Sequence, residues 1–382
     1  MERNEFIQAK RIVIKLGTNV LRGDNGYISL PRVYTFIEDI ANLVKSGKEV
    51  IIITSGAVSM GKKRLNLEDT KGTALKQACA AIGQSKLMSI YENGFDTYGL
   101  TAAQILLTED DFSVRERYLS LRITFNKLLE LGTIPVINQN DTVSTLEIAP
   151  RYIEEDMQVC FSDNDKLSAL VASELDADLL VILSDIDGLY DSNPKTNPDA
   201  KFIKCVEQVD DHVLALASGA SEGGRGGMET KLQAAQMVTR YGGKMLIANG
   251  KIPYVIKRIF EGEDLGTMFL PTDENMPDKK RWIGYATNII GKIVVNDGAK
   301  KALIEEEKSL LPIGIIQIKN TFRKGDVVSI LDENNVEFAR GMVNYDSESC
   351  KKLLGRHSDD ILSILGHKNY DAIITRDNIT IL

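Results

Sequence analysis

A glycine-rich turn that ends in a lysine lies in the middle of the chain. Residues 223–231 read GGRGGMETK, and backbone N–H groups of such a turn at the start of a helix can bind phosphate oxygens. The turn is not a Walker A loop, which needs Gly-Lys-Ser/Thr in succession, because Met228, Glu229 and Thr230 precede Lys231. We therefore predict a phosphate-binding loop of another kind.

A second lysine, Lys15, lies inside the apolar run RIVIKL (11–16), directly before a glycine turn. Two lysines on glycine-rich turns from distant parts of the chain suit a reaction in which an anion attacks a phosphate, since such transfers depend on positioning and charge neutralisation. A carboxylate acceptor is already ionised at pH 7, so no general base is required. The chain has only three histidines, none in a glycine-rich motif.

Small and polar residues follow each of the other predicted strands at its carboxyl end, where open α/β sheets bind ligands. The runs are EVIIIT (49–54), followed by Ser55-Gly56-Ala57; TIPVIN (133–138), followed by Gln139-Asn140-Asp141-Thr142; and LLVILS (179–184), followed by Asp185-Ile186-Asp187-Gly188. A single turn of this kind could be a plain chain reversal. Four in one sheet, together with the glycine-rich loop, predict a binding crevice.

A third polar cluster precedes the apolar helical stretch in FSDNDKLSALVASEL (161–175). One of Asp163, Asn164 and Asp165 must cap that helix, and all three could be capping and solvated residues. Asn and Asp that face the crevice would also suit the ammonium and carboxylate groups of an amino acid. An aspartate between the two lysines would hold them in place without being consumed.

The elements that position these residues form a doubly wound, mainly parallel α/β sheet. The predicted strands are nearly continuously apolar, as in a sheet covered on both faces, and KMLIA (244–248) adds a fifth. Helical patterns span 73–92 and 228–240. We expect a catalytic domain at 1–272, a linker at 273–288 and a β-rich domain at 289–382, interrupted by one helical piece, KKALIEEEKSLL.

The composition is that of a soluble globular protein, with 382 residues, 43% hydrophobic and 26% charged. The net charge of −8 argues against a general nucleic-acid binder. Four cysteines without C-x-x-C spacing indicate neither a zinc site nor a disulfide framework. The apolar runs are too short to span a membrane. We therefore expect a cytoplasmic protein without a membrane partner.

Five segments resemble those of glutamate 5-kinases, of the amino-acid-kinase superfamily, over residues 8–270. They are IKLGTNVL, ITSGAVSMG, RERYLSLRITFNKLLELGTIPVINQNDTV, FSDNDKLSALVASELDADLLVILSDIDGLYDSNP and GGMETKLQAA. The tail, with GKIVVNDGAKKAL and FRKGDVVSI, resembles the PUA domain of many bacterial members, which implies a small β-rich PUA-like barrel. The implied reaction converts ATP and L-glutamate to ADP and L-glutamyl 5-phosphate, the first step of proline synthesis.

The resemblance implies a role for each matching residue. Lys15 would contact the ATP phosphates and the transferring group, Lys231 would be a second charge neutraliser, and Asp165 would orient both lysines. The residues that would hold glutamate are Ser55, Asp141 and Asn164. The residues that would bind ATP are Lys15, Ser184, Asp185, Arg225, Gly226, Gly227, Met228, Glu229, Thr230 and Lys231. Mg²⁺ would bridge the nucleotide phosphates with few or no protein ligands, so we expect no separate metal site.

The resemblance further implies a homo-oligomer, a dimer or a tetramer, and proline as a feedback inhibitor that overlaps the glutamate pocket. One segment departs from the family pattern. Residues 144–162 (STLEIAPRYIEEDMQVCFS) are longer and more acidic than the usual connection between the NDTV and DND motifs. Either they alter glutamate affinity and proline sensitivity, or they form a surface loop without functional effect.

The sequence leaves two alternative functions open. A relative that phosphorylates another acceptor, such as a nucleotide, carbamate, aspartate or acetylglutamate, would share the fold. A nucleotide acceptor should need extra Arg or Lys, whereas NQND and SDND supply Asn and Asp. An RNA-binding PUA protein is the other alternative, but residues 290–382 hold 13 Lys and Arg against 14 Asp and Glu. A neutral module supplies phosphate neutralisation poorly, so we do not expect RNA as the main partner.

Overall fold

The computed structural model describes residues 4–24, 26–67, 72–143, 164–194, 196–217, 227–272 and 276–382. The chain divides into two compact units. The described residues of the first unit lie in 4–111, 119–143 and 164–272, and those of the second in 112–118 and 276–382. None of the helices in these described ranges combines the length and the apolar composition needed to cross a membrane.

The strands of the first unit belong to one large sheet and one small ribbon. They are β1 Arg11–Leu16, β2 Glu49–Ile53, β3 Ala102–Leu107, β4 Ile134–Gln139, β5 Leu179–Ser184, β6 Leu189–Tyr190, β7 Phe202–Ile203, β8 Cys205–Val206, β9 Lys244–Asn249 and β10 Thr267–Phe269. Within the described residues the large sheet has the order β3-β4-β2-β1-β5-β9-β10-β8, parallel except between β9 and β10. Strands β6 and β7 form the antiparallel ribbon.

Helices connect these strands and cover both faces of the sheet. They are α1 Asn4–Gln8, α2 Thr18–Leu21, α3 Leu30–Lys45, α4 Ala57–Arg64, α5 Thr73–Asp96, α6 Glu109–Ser113, α7 Arg115–Glu130, α8 Asn164–Glu174, α9 Asp211–Ala215, α10 Met228–Arg240 and α11 Val255–Phe260. The central strands are buried almost throughout, which explains their continuous runs of Ile, Val and Leu. The predicted doubly wound α/β class is thereby confirmed.

The register of the central strands brings their carboxyl ends to one level. Lys15 pairs with Ile53 of β2 and with Ile182 of β5, and Ile53 pairs with Ile137 of β4. Because these strands are parallel, the turns after β1, β2, β4 and β5 leave the same edge of the sheet. This edge carries the polar residues that the sequence singled out.

Two glycines allow α4 and α5 to pack with their backbones in close approach. A Cβ atom on Gly61 would lie 1.9 Å from the carbonyl oxygen of Cys79, and one on Gly83 would lie 1.8 Å from that of Ala57. No side chain larger than hydrogen fits at either position. Helix α4, which begins directly after the turn that follows β2, is therefore held rigidly on α5.

The second unit contains a five-stranded sheet among its described residues, in the order β12-β11-β13-β14-β15. The strands are β11 Gly291–Val295, β12 Ile315–Lys319, β13 Val327–Leu331, β14 Glu337–Met342 and β15 Ile379–Ile381, and the helices are α12 Asp278–Arg281, α13 Asp297–Glu305, α14 Ser347–Lys352 and α15 Ile361–Leu365. The expected β-rich domain is present. The single helical piece was an underestimate, because α14 and α15 have only six and five residues and so show no long periodic pattern.

Residues in and near the expected linker form helical turns and make specific side-chain contacts. Helix α12 and the π-helical turn Trp282–Ala286 lie within the range 273–288. The buried Trp282 indole donates a hydrogen bond to the Phe112 carbonyl oxygen at 3.0 Å, and Arg115 pairs with Asp278 at 2.6 Å. Residues 112–118, which the sequence grouped with the catalytic domain, thus belong by contact to the second unit.

Candidate active site

The edge formed by the carboxyl ends of the strands holds a buried cluster of two lysines around one aspartate. The Lys15 ammonium nitrogen lies 2.7 Å from Asp165 Oδ1, and the Lys231 ammonium nitrogen lies 3.0 Å from Asp165 Oδ2. Asp165 is fully buried, while Lys15 is 5% and Lys231 4% exposed. Two positive charges and one negative charge leave the cluster with a net positive charge away from bulk water.

Each member of this cluster comes from a different element. Lys15 is the fifth residue of β1, where its side chain can lie at the edge because the chain turns at Gly17. Asp165 lies in the first turn of α8, where the positive end of the helix dipole favours a carboxylate. Lys231 lies in the first turn of α10. The convergence of β1, α8 and α10 therefore builds the charge cluster.

The cluster keeps Asp165 ionised. Burial alone would raise the pKa of this carboxyl group, but the ammonium groups of Lys15 and Lys231 outweigh it and lower the pKa to about 2. The Thr230 hydroxyl lies 3.0 Å from Asp165 Oδ2 as well. The aspartate is thus a fixed anion that holds both lysines in position, not a proton acceptor near neutral pH.

The start of α10 presents backbone donors beside Lys231. Gly227 precedes the helix with extended backbone dihedral angles, and no side chain caps the helix there. The first N–H groups of an uncapped helix bind anions readily. Met228, Glu229 and Thr230 form the first turn. Arg225 and Gly226, which the sequence also assigned to ATP, lie outside the described residues, as does the acidic segment 144–162.

A second cluster of amides and hydroxyls lies next to the charges. The Asn164 side-chain amide lies 2.7 Å from both the Thr54 carbonyl oxygen and the Ser55 hydroxyl oxygen, and 3.3 Å from Asn138 Oδ1. The Asn138 amide in turn donates to Gln84 Oε1 at 2.9 Å. Uncharged donors and acceptors held in this way suit the polar groups of a small acceptor molecule.

The remaining predicted acceptor residue, Asp141, lies at the same edge. It is partly buried in the turn that follows β4. Behind this region the Thr54 hydroxyl and the buried Tyr91 hydroxyl are 2.8 Å apart, and burial raises the pKa of Tyr91 well above its ordinary range. Tyr91 is therefore a neutral support for the β2 turn.

The turn after β5 forms the other side of the crevice. The Asn19 amide donates to Asp185 Oδ2 at 3.1 Å, and the Ser184 hydroxyl lies 3.4 Å from Asp185 Oδ1. Two residues further along the same turn, Asp187 Oδ1 accepts a hydrogen bond from the Asn249 side-chain amide at 2.8 Å. The structure thus groups Ser184 and Asp185 with β1 and β9, on the far side of the lysines from Ser55 and Asn164 in the strand order.

Three supporting residues were absent from the sequence-based set. Asn138 belongs to the predicted strand TIPVIN but was given no role, and Asn19 lies in the segment IKLGTNVL, where it was also given no role. Gln84 lies on α5, where it is buried among apolar neighbours. A polar residue at a buried position of a helix is a signal for such a role, but burial becomes known only with the structure.

The arrangement supports transfer of an anionic group. The lysines and the helix terminus can neutralise charge on phosphate oxygens, and the neutral amide cluster can orient an acceptor beside them. Among the described residues no three His, Cys, Asp or Glu side chains converge in a way that could hold a metal ion. Both oxygens of Asp165 bind lysines, so this carboxylate is not placed to be a metal ligand.

Comparison with known proteins places these features in a family. The model of the amino acid kinase family matches residues 10–249, and that of the PUA domain matches residues 291–365. A glutamate 5-kinase from Caldanaerobacter subterraneus subsp. tengcongensis is 47% identical over 97% of this chain and 98% of its own length. One from Geobacter sulfurreducens is 44% identical over 98% of each chain. Among solved structures, UMP kinase from Ureaplasma parvum is a distant likeness, with 18% identity and a TM-score of 0.47 over 69% of this chain and 99% of that one.

Proposed function

Since this chain belongs to the amino acid kinase family and, within it, to the glutamate 5-kinases, we propose that it transfers the γ-phosphoryl group of ATP to the side-chain carboxylate of L-glutamate. The products are ADP and L-glutamyl 5-phosphate, and the product feeds proline synthesis. The PUA match over residues 291–365 adds to the likeness with these kinases.

One observation carries the chemical side of this proposal: the buried Lys15–Asp165–Lys231 cluster. In the proposed step a glutamate carboxylate oxygen forms a bond to the γ-phosphorus, and the bond from that phosphorus to the β,γ-bridging oxygen breaks. Negative charge moves towards the β-phosphate of the departing ADP. Lys15 and Lys231 neutralise charge on the transferring group and on the leaving oxygen, which lowers the barrier.

No proton has to be removed from the acceptor. The side-chain carboxyl group of glutamate has an ordinary pKa of about 4.3 and is ionised at neutral pH. Asp165 is engaged by both lysines and has a lowered pKa, so we assign it a positioning role and not that of a base. This mechanism needs no histidine.

We assign glutamate to the side of the lysines that carries Ser55, Asn164 and Asp141. The Asn164 amide and the Ser55 hydroxyl are neutral groups already oriented by Thr54 and Asn138, and they can hydrogen-bond to a carboxylate. Asp141 supplies a negative charge for the ammonium group of the substrate. We assign the nucleotide contacts to Ser184, Asp185 and residues 225–231, on the other side of the lysines.

We propose that Mg²⁺ binds together with ATP. The ion supplies additional charge neutralisation on the phosphate oxygens. We assign it to those oxygens because the central carboxylate, Asp165, is taken up by the lysines. Lys15, Lys231 and the first N–H groups of α10 then hold the phosphates from the protein side.

The experiment that tests the proposal compares acceptors under identical conditions. ADP release from ATP and Mg²⁺ is measured with L-glutamate, L-aspartate, N-acetylglutamate or UMP, and hydroxylamine traps any acyl phosphate as a hydroxamate. We expect turnover and hydroxamate with L-glutamate alone. Turnover with another acceptor only would retain the phosphotransfer cluster but overturn the substrate assignment, and no acceptor-dependent turnover would overturn both.

Further properties follow from the same proposal. We propose that proline competes with glutamate at the Ser55 and Asn164 side, that the enzyme is a dimer or tetramer, and that it works in the cytoplasm. Among the described residues the thiols of Cys79 and Cys350 are unbridged, which suits a reducing compartment. Inhibition kinetics with glutamate as the varied substrate and light scattering of the purified protein test the first two statements.

The near-neutral PUA region makes RNA a minor partner at most, which a gel shift at low salt can test.

A further inference from the structure

A separate pocket of about 180 Å³ lies among α2, α4 and α5 of the first unit. Its apolar lining includes Tyr27, Met60 and Ile82. Its charged lining consists of four cations and no carboxylate, namely Arg22, Lys63, Arg64 and Lys86. We call it the basic pocket. Such a concentration of positive charge is notable because the chain as a whole carries a net charge of −8.

The four cations come from three different parts of the chain. Arg22 follows α2, Lys63 and Arg64 end α4, and Lys86 lies on α5. Lysines at the end of one helix are explained by the helix dipole, but that explanation does not cover Arg22 and Lys86. Within the part of the chain that the structure describes, none of the four forms an ion pair. Arg22 donates to the Ser59 hydroxyl at 3.0 Å, and Lys63 lies over the Tyr27 ring.

The basic pocket is distinct from the acceptor side of the active site. Ser55, Asn138, Asp141 and Asn164 are not among its lining residues. The two regions meet at the turn that begins α4, where Gly56 lines the pocket and the preceding Ser55 binds the Asn164 amide. Gly56 adopts a left-handed backbone with φ of 102°, which turns the chain sharply between the two.

A rigid path joins the pocket to the acceptor residues. Helices α4 and α5 touch backbone to backbone at Gly61 and Gly83, so they must move together. Residue 83 lines the pocket, and its neighbour Gln84 binds Asn138, which in turn binds Asn164. A ligand that draws the four cations together would therefore also act on the acceptor residues through α5.

We propose that the basic pocket binds a small organic anion with carboxylate or phosphate groups, and that its occupancy lowers the KM for the acceptor. The anion offsets the mutual repulsion of the four cations and so holds α2, α4 and α5 in one arrangement. The apolar lining accommodates the carbon portion of the ligand. The regulatory part of this inference rests on the proposed glutamate kinase activity, whereas the binding part does not.

The test uses succinate and inorganic phosphate as probes, titrated by calorimetry into the full-length protein with ADP and glutamate at saturation. Filling the active site in this way restricts the signal to other sites. The variants are Lys63→Gln and Lys86→Gln, each examined alone. Lys62→Gln is the matched control, because Lys62 belongs to the same helical turn as Lys63 but does not line the pocket. Both lysine heads are at least partly exposed, so folded variants are expected.

We expect saturable binding of at least one probe, weakened about tenfold or more in each pocket variant, as for loss of a charged contact. The Lys62→Gln protein should bind like wild type. The probe that binds should also lower the glutamate KM of the wild type by about fivefold, a typical coupling between sites, and leave Lys63→Gln unaffected. Absence of saturable binding in the protein with a filled active site, or equal binding in all variants, would each overturn the binding proposal. Binding without an effect on the glutamate KM would overturn its regulatory part, and hydroxamate formation in the same samples separates that result from failure of the proposed reaction.

Discussion

The ammonium group of Lys231 lies 3.0 Å from Oδ2 of the fully buried Asp165. The opposite oxygen of the same carboxylate binds Lys15 at 2.7 Å. One carboxylate thus fixes two cations that come from distant parts of the chain. It also reduces the electrostatic cost of holding two ammonium groups away from water. The cluster is consequently both a structural ion network and the source of positive charge at the proposed transfer site.

The first prediction concerns acid stability. The folded pKa of Asp165 lies below its unfolded value, because the lysines outweigh burial. Its contribution to stability is therefore full above the unfolded pKa of about 3.9 and is lost as pH falls towards about 2. Urea unfolding at pH 5 and pH 3 should show the free-energy advantage of wild type over Asp165→Asn shrinking at the lower pH. A constant advantage at both values would contradict this assignment.

A second carboxyl group should have the opposite pH dependence. Burial raises the pKa of Asp39 on α3 to about 6, although the Lys257 backbone N–H donates to it at 3.2 Å. The stability associated with this shift is full below the unfolded pKa and is lost as pH rises through about 6. Asp39→Asn should therefore be more stable than wild type at pH 8, by roughly 1 to 3 kcal/mol, with little gain at pH 4. Urea unfolding at both pH values measures this, and a gain that is equal at both would speak against it.

The two sides of the crevice should separate in steady-state kinetics. Asn164→Ala removes the amide placed against Ser55 and should raise the KM for glutamate about tenfold or more, with little change in the KM for ATP. Asp185→Ala should have the reverse effect, because Asp185 lies on the β5 side with Asn19. The measurement is initial rate with each substrate varied in turn. If both variants raised the same KM, the assignment of the two sides would be wrong.

The close contact of α4 and α5 gives a stability prediction. Gly83→Ala would place a Cβ 1.8 Å from the Ala57 carbonyl oxygen, so the helices must separate. We expect a loss of about 3 kcal/mol in the free energy of unfolding, as for severe overpacking. Ser85→Ala, on an exposed position of the same helix, is the control and should be near neutral. Equal stability of the two variants would show that α4 and α5 can adjust freely.

The central strands and the polar strand ends could be predicted from the sequence, and the edges of the sheet could not. β1, β2, β4, β5 and β9 are apolar over most of their length because helices cover them on both faces. β8 and β10 have only two and three residues, and β3 is only partly buried over most of its length, so neither composition nor pattern identifies them. The residues of the candidate site divide in the same way, into those that the sequence predicts and those that only the packing reveals. Turn residues such as Ser55 and Asp165 were predicted by residue type and position, whereas Gln84 acquires its place only through the packing of α5.

The most direct test of the central claim is the turnover rate of Lys231→Met with ATP, Mg²⁺ and L-glutamate, measured as hydroxamate formation. Methionine keeps the length and the apolar stem of lysine but removes the charge that would stabilise the transferring group. Lys127→Met, at an exposed lysine paired with Glu130, is the matched control. We predict that kcat of Lys231→Met falls by about 10² to 10³ while the control matches wild type. A kcat for Lys231→Met equal to that of the control would contradict the account.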